Sequence, residues 1–197
     1  MGFKLLVVES PKKAKTIAGI LGGAWRVGAS FGHIRDLPDK DYGVDRHTFK
    51  PSYVIPDKAK DNLGKLKTLA AQADDIYLAT DLDREGEAIA YHLAHVLKIK
   101  NAKRIGFTEI TAQAINKALM SPRPIDINLV MAQEARRVAD RVVGYDVSST
   151  LCKQANRGLS AGRVQTPALR LVVDIEKKIR DFVPKGFYEV YVTLDNE

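Results

Sequence analysis

The sequence predicts an α/β protein, a small parallel sheet flanked by helices, followed by a mainly α-helical region. Three observations carry that expectation. Short apolar runs rich in β-branched residues recur at Leu5-Leu6-Val7-Val8, Ile76-Tyr77-Leu78-Ala79-Thr80 and Arg104-Ile105-Gly106-Phe107. Each is followed, directly or after a loop, by residues of helical period, the alternation that builds a parallel sheet covered on both faces. Two prolines in Ser121-Pro122-Arg123-Pro124 interrupt the pattern, and beyond them the helical period dominates.

Residues 5–8 form a short continuous apolar run, as a strand buried on both faces requires, and Glu9-Ser10-Pro11 ends it with turn chemistry. Pro11 stands where a first-turn proline is tolerated; Ala14, Ile17, Ala18 and Leu21 supply an apolar stripe before the Gly22-Gly23 stop. Residues 25–56 are rich in Gly, Pro, Asp and aromatics without a sustained period, which predicts loops with a short strand near 26–30. A helix is expected over 58–71 through Leu63, Leu66 and Leu69, then a strand at 76–80, a helix at 86–97, a strand at 104–107 and a helix at 112–119.

In the second region Met131, Ala135, Val138, Val142 and Tyr145 share one face of a long helix. Arg157-Gly158-Leu159-Ser160-Ala161-Gly162 is a glycine-punctuated loop, and Leu169, Val172, Val173 and Ile179 mark a further helix ending before Pro184. Residues 187–194 alternate like a strand with no partner nearby in sequence, as though a larger protein had been cut there. The expected domains are therefore 1–122 (α/β), 123–186 (helical) and 187–197 (the start of a further β domain).

With 45% hydrophobic and 28% charged residues, the 197-residue chain can bury one ordinary core, and fibre, membrane and low-complexity classes are excluded. Lys and Arg number 31 against 24 for Asp and Glu, a net charge of +7 that suits a polyanionic partner. The single cysteine, Cys152, excludes an intrachain disulfide and an all-cysteine zinc cluster and fits a reducing cytoplasm. Neither a signal h-region nor an apolar stretch of roughly 20 residues, the length of a membrane span, is present.

The strongest chemical signal is Asp81-Leu82-Asp83-Arg84-Glu85-Gly86-Glu87, directly after a buried strand and at the start of a helix. Carboxylates so concentrated repel unless a cation compensates, and Mg²⁺, a hard ion that takes oxygen ligands, is the natural one. A helix amino terminus also favours acidic residues without a metal. Glu9 tips the balance, because it too follows a buried strand and adjacent parallel strands would bring it to the edge that carries Asp81 and Asp83. Lys12, Lys13 and Lys15 crowd the first turn of the preceding helix, where backbone N–H groups already attract phosphate. Arg136 and Arg137, with Arg157, Ser160, Arg163 and Gln165 in and beside the glycine-punctuated loop, form a candidate groove for a single-stranded backbone. Arg136 and Asp140 are equally placed for a surface ion pair.

With these residues in view, the chain resembles the type IA DNA topoisomerases over essentially its whole length. The matching blocks are Val7-Val8-Glu9-Ser10-Pro11 with Lys13-Ala14-Lys15-Thr16-Ile17, Gly32-His33-Ile34-Arg35-Asp36-Leu37-Pro38, the stretch from Tyr77 through Asp81-Leu82-Asp83-Arg84-Glu85-Gly86-Glu87 to Ala90, Glu134-Ala135-Arg136-Arg137 with Asp140-Arg141-Val142-Val143-Gly144-Tyr145, and Gly158-Leu159-Ser160-Ala161-Gly162-Arg163-Val164-Gln165-Thr166. The resemblance implies a Toprim domain, a Rossmann-like metal-binding module, over residues 1–122, then the start of a helical domain that holds single-stranded DNA. It implies Mg²⁺ as cofactor and relaxation of negatively supercoiled DNA through a transient 5′-phosphotyrosine. Glu9 corresponds to the residue assisting proton transfer and Lys13 to the one stabilising charge at the scissile phosphate. Asp81, Asp83 and Glu85, with Glu9, correspond to the metal cluster, and Arg136 to the arginine that positions the phosphate. His33 and Asp140 fall on positions associated with DNA binding.

One departure stands out. The family's nucleophile lies in a motif resembling Tyr-Met-Arg-Thr-Asp, and none of the seven tyrosines here is followed two residues later by arginine. The expectation is an amino-terminal part without a nucleophile, unable to relax DNA unless the remainder of a topoisomerase chain joins it, and working in the cytoplasm with the nucleoid. Rival readings are another Toprim nuclease or primase, a phosphatase using Asp-x-Asp, or a non-catalytic DNA-binding paralogue.

Overall fold

The computed structural model describes residues 2–195, in two compact units, Met1–Val142 and Val143–Glu197. The first holds four parallel strands, β1 (Phe3–Val8), β2 (Trp25–Ala29), β3 (Ala73–Leu78) and β4 (Lys103–Arg104), in the order β2-β1-β3-β4. Four helices cover them: α1 (Pro11–Leu21), α2 (Asp57–Gln72), α3 (Arg84–Val96) and α4 (Ala112–Met120).

Strand alternation divides the apolar run of β1 between two layers. Leu5 and Val7 pack with Leu63 and Leu66 of α2 and Ile89 and Leu93 of α3. Leu6 and Val8 pack on the other side with Ile17 of α1 and Ile115 of α4. Both layers are closed, which explains why β1 is a continuous apolar run and not an alternating one. Side-chain caps begin three of the helices: Ser10 accepts from the Lys13 N–H, Asp83 from Gly86 and Thr111 from Ala114.

The boundaries differ from expectation where long-range pairing overrides local pattern. β3 starts at Ala73, because its ladder with β1 begins at Phe3↔Ala73, and stops at Leu78. Thr80 is drawn instead into the turn before α3, its hydroxyl donating to the Gly86 carbonyl at 2.6 Å. β4 is only two residues long, and Arg104 makes an antiparallel bridge to Arg123.

The long helix α5 (Ile127–Ala155) exists as expected, but its inward face does not follow the apolar stripe. Val130, Gln133 and Val138 are buried while Met131 is 65% exposed. Arginines decide the orientation: Arg137 and Arg141 reach acceptors in the segment after β2, where Leu37, Val44 and Val138 form a small apolar cluster.

The second unit contains the remainder of α5 and a helix α6 (Gln165–Arg180). The helical expectation for α6 holds, yet none of its residues is buried. The strand expected at 187–194 is not formed: residues 187–195 carry no regular structure, since an isolated strand has no ladder to satisfy its backbone. Asn196 and Glu197, the last residues of that expected β segment, lie outside the described residues.

Candidate active site at the carboxyl edge of the sheet

Because β1 and β3 are adjacent and parallel, with Val7 opposite Leu78, the residues that follow them share one edge. There Glu9 Oε1 accepts the Asp81 N–H at 2.8 Å. Lys13 Nζ, delivered from the first turn of α1, lies 2.5 Å from Asp81 Oδ1 and 4.0 Å from Glu9 Oε2. Burial pushes the Glu9 carboxyl above its ordinary range, opposed by the Asp81 N–H and helped by the Asp81 carboxylate, while the Lys13 hydrogen bond holds Asp81 below its own. Two neighbouring carboxyls are thus driven apart in proton affinity, the condition for one to carry a proton beside a charged partner.

The Asp81-Leu82-Asp83 turn is held from above and below. Asp83 Oδ1 accepts from the Gly86 N–H at 2.7 Å, and a Cβ at Gly86 would run into the Asp81 backbone, so the turn needs glycine there. Beneath it the fully buried Arg104 donates to the Asp81 carbonyl at 2.5 Å, to the Leu78 and Ile105 carbonyls, and through Nε to Glu87 Oε2 at 3.1 Å. Glu87, equally buried, also takes both Arg123 Nη groups at 2.8 and 2.9 Å and the Asp126 N–H at 2.7 Å. Burial alone raises the Glu87 carboxyl; the bonds from Arg123 and Asp126 and the charge of Arg104 outweigh it and leave it below its ordinary range. The fourth carboxylate of the acidic motif is therefore structural. Sequence reading missed Arg104 and Arg123; the available signal was an arginine at the head of the short strand run that begins Arg104-Ile105.

Glu85 faces a different set of partners. Its Oε2 lies 3.1 Å from Gln133 Nε2 and 3.3 Å from His33 Nε2, and its Oε1 lies 3.8 Å from Arg136 Nη1. Arg136 Nε is 3.9 Å from Asp140 Oδ2. Arg137 makes a two-pronged pair with Asp36, at 2.9 and 2.5 Å, which fastens the first half of α5 to the segment after β2. His33, Glu85, Arg136 and Asp140 thus meet in the first unit.

Arg157, Ser160, Arg163 and Gln165 belong to the second unit. Their loop is pinned by local bonds: the Ala161 N–H donates to Ser148 Oγ at 2.9 Å, Cys152 Sγ donates to the Leu159 carbonyl at 2.9 Å, and the Gly162 N–H donates to Thr166 Oγ1 at 3.0 Å. The lone cysteine serves as a loop clasp.

Among the described residues no three Asp, Glu, His or Cys side chains converge to hold a metal. Glu9 and Asp81 nevertheless supply two adjacent hard-oxygen donors, which matches the one or two carboxylates Mg²⁺ uses beside water and phosphate. Lys13 provides their counter-charge in this arrangement. Asp83 gives one oxygen to the α3 cap, and Glu85 is paired with His33, Gln133 and Arg136, so these two stand apart from that pair.

The family model described as Toprim domain matches residues 4–110, and the one described as DNA topoisomerase matches residues 124–197. A "DNA topoisomerase I, plasmid" from Xylella fastidiosa (strain 9a5c) is 52% identical over 179 residues, covering 91% of this chain and 27% of that protein. The structure of full-length topoisomerase I from Thermotoga maritima aligns with a TM-score of 0.79 and 48% identity, over 92% of this chain and 31% of that one. The chain therefore spans under a third of the length of either relative.

Proposed function

The chain belongs to the type IA DNA topoisomerases, corresponding to their amino-terminal part with its Toprim domain, and from that premise we propose that it serves Mg²⁺-dependent transient cleavage of one DNA strand through a 5′-phosphotyrosine, relaxing negatively supercoiled DNA. The observation that carries this reading is the meeting of Glu9, Lys13 and Asp81 at one sheet edge. A phosphodiester placed there would find the Lys13 ammonium beside its non-bridging oxygens. The Glu9 carboxyl can exchange a proton with the ester oxygen that leaves and returns. Glu9 and Asp81 would hold Mg²⁺, joined by Asp83 and Glu85 on release from their present partners, and the ion when bound supplies charge neutralisation at the phosphate.

Arg136 orients the phosphate from α5. His33, Arg137 and Asp140 in the first unit, and Arg157, Ser160, Arg163 and Gln165 in the second, contact the single-stranded segment. No tyrosine of this sequence lies in a nucleophile motif, so these 197 residues by themselves do not relax supercoils and need the remainder of a topoisomerase chain as partner. This reading puts the chain at work on DNA in the cytoplasm, at the nucleoid; separately, no helix of the described residues is long and apolar enough to cross a membrane.

The test is a supercoil-relaxation assay with Mg²⁺ on the chain alone and mixed with a separately made segment carrying the tyrosine motif. Activity only in the mixture is expected; relaxation by the chain alone would overturn the assignment of the nucleophile. Asp81→Asn with Asp83→Asn should abolish the response of the mixture to millimolar Mg²⁺ without unfolding the chain, because too few well-placed carboxylates remain. An unchanged Mg²⁺ titration would remove those residues from the metal site.

A further inference from the structure

Beside the acidic edge, the turn after β2 and the first half of α2 enclose a cavity of about 300 Å³ whose wall includes Ser30, Phe31, His33, Lys58, Asp61 and Lys65. We propose that this cavity is a nucleotide subsite: it holds one nucleotide of single-stranded DNA, with the base against the Phe31 ring and its phosphate between Lys58 and Lys65. The proposal rests on the reading of the chain as a binder of single-stranded DNA and, His33 apart, assigns that strand a place on residues that no other part of the site uses.

Three features converge. Phe31 is 63% exposed, a large ring kept in water on the wall of a cavity, where a base could stack. Its backbone lies in the left-handed region, with φ 59, followed by Gly32 at φ 88. A bulky residue rarely occupies that region, and where one does the surrounding structure enforces it, a pattern that clusters at ligand clamps. Ser30, 2% exposed, has a hydroxyl that makes no hydrogen bond in the protein, although buried hydroxyls are normally satisfied. A ligand in the cavity gives that group a partner.

The chemistry of the wall narrows the ligand. Lys58, Asp61 and Lys65 recur at helical spacing on one face of α2, so the two ammonium groups flank a carboxylate. That arrangement takes a single phosphate attached to a neutral ring better than it takes a cluster of anions. Asn62 is already committed, its amide donating to the Ala29 carbonyl at 2.8 Å, which ties α2 to the end of β2 and fixes the cavity's width. His33 belongs both to this wall and to the acidic site, with Nε2 3.3 Å from Glu85 Oε2.

The experiment is fluorescence anisotropy of this chain with a labelled oligothymidylate, comparing the native protein with Phe31→Gly and with Lys58→Gln/Lys65→Gln. Phe31→Gly removes the ring and suits the left-handed backbone, so its urea midpoint should equal or exceed the native one while binding weakens roughly tenfold. The lysine double variant should show a shallower dependence of affinity on salt. An oligonucleotide scanned with a single abasic position should lose affinity to the native protein at one place, and that loss should vanish with Phe31→Gly. Native-like binding and an unchanged abasic profile in Phe31→Gly would overturn the proposal while leaving single-strand binding intact. Failure of the native chain to bind the oligonucleotide would instead sink the DNA reading on which the proposal rests. Titration with thymidine monophosphate separates the sources: Phe31-dependent binding of the free nucleotide, with no effect on the oligonucleotide, would make the cavity a site for a free nucleotide and overturn the strand assignment.

Discussion

The two units use similar material to different effect. In Met1–Val142 helices of amphipathic spacing are pressed against a sheet, and Ile17, Leu63, Leu66, Leu93 and Ile115 are buried. In Val143–Glu197 the helix α6 has the same kind of spacing, yet Leu169, Leu171, Val172 and Ile179 remain well exposed. Functional side chains differ in parallel. In the first unit they are held by partners 68, 72 and 101 residues away, as in Lys13–Asp81, Glu9–Asp81 and Arg137–Asp36. In the second the loop is pinned by bonds spanning 7 and 13 residues, Cys152–Leu159 and Ser148–Ala161. Period makes a helix, but only a second surface turns its apolar stripe into stability.

The contrast can be broken most forcefully at Arg104. Arg104→Met leaves Glu87 buried without one of its two arginines and frees the Asp81 carbonyl. Loss of one partner of a buried pair costs on the order of 3–5 kcal/mol. The expected result is a large fall in the urea midpoint reported by Trp25, the only tryptophan, which lies in β2. A midpoint unchanged in Arg104→Met would show that the network does not anchor the sheet.

A pair of leucine truncations sharpens the comparison. Leu78→Ala, at a fully buried position of β3, should cost roughly 2–5 kcal/mol, whereas Leu171→Ala, 68% exposed in α6, should change stability by no more than about 0.5 kcal/mol. Equal losses in denaturant unfolding would mean that α6 is covered in solution.

The most gradual effect is a pH slope confined to the first unit. His92 is pushed down to about 3 by burial and by the Arg35 guanidinium, whose Nε lies 3.2 Å from His92 Nδ1; His33 and His95 also disfavour the charged ring and Asp36 favours it. An unfolded histidine takes its proton near 6.5, so between those values the unfolded chain binds the extra proton. The contribution is complete above about pH 6.5 and is lost as pH falls toward 3, by about 1.4 kcal/mol per pH unit at its steepest. Urea midpoints measured across this range should show the slope, and His92→Gln should flatten it.

Much of the first unit was legible in the sequence. Strand–helix alternation identified the parallel sheet, and turn chemistry after residues 8 and 80 marked Glu9 and Asp81 as neighbours on one edge, because adjacent parallel strands must end together. The helices α1, α4 and α6 were readable from apolar period, α1 also from its first-turn proline and glycine stop. The acidic motif was legible as a group, but not the division of labour inside it. Glu87 turns into the core toward Arg104 and Arg123, Asp83 caps α3, and Glu85 turns toward His33 and Arg136.

What the sequence determined by itself was whatever repeats locally: element type, the order of strands and helices, and the strand ends at which chemistry gathers. Tertiary structure alone decided which face of α5 turns inward, that β4 is two residues long, that residues 187–195 form no strand, and which carboxylate meets which cation. The physical reason is range. Backbone hydrogen bonding and apolar periodicity are set within a turn or a strand, whereas a charged side chain is directed by the partner that folding brings within about 4 Å, and the partner of Arg137 lies 101 residues away in the chain.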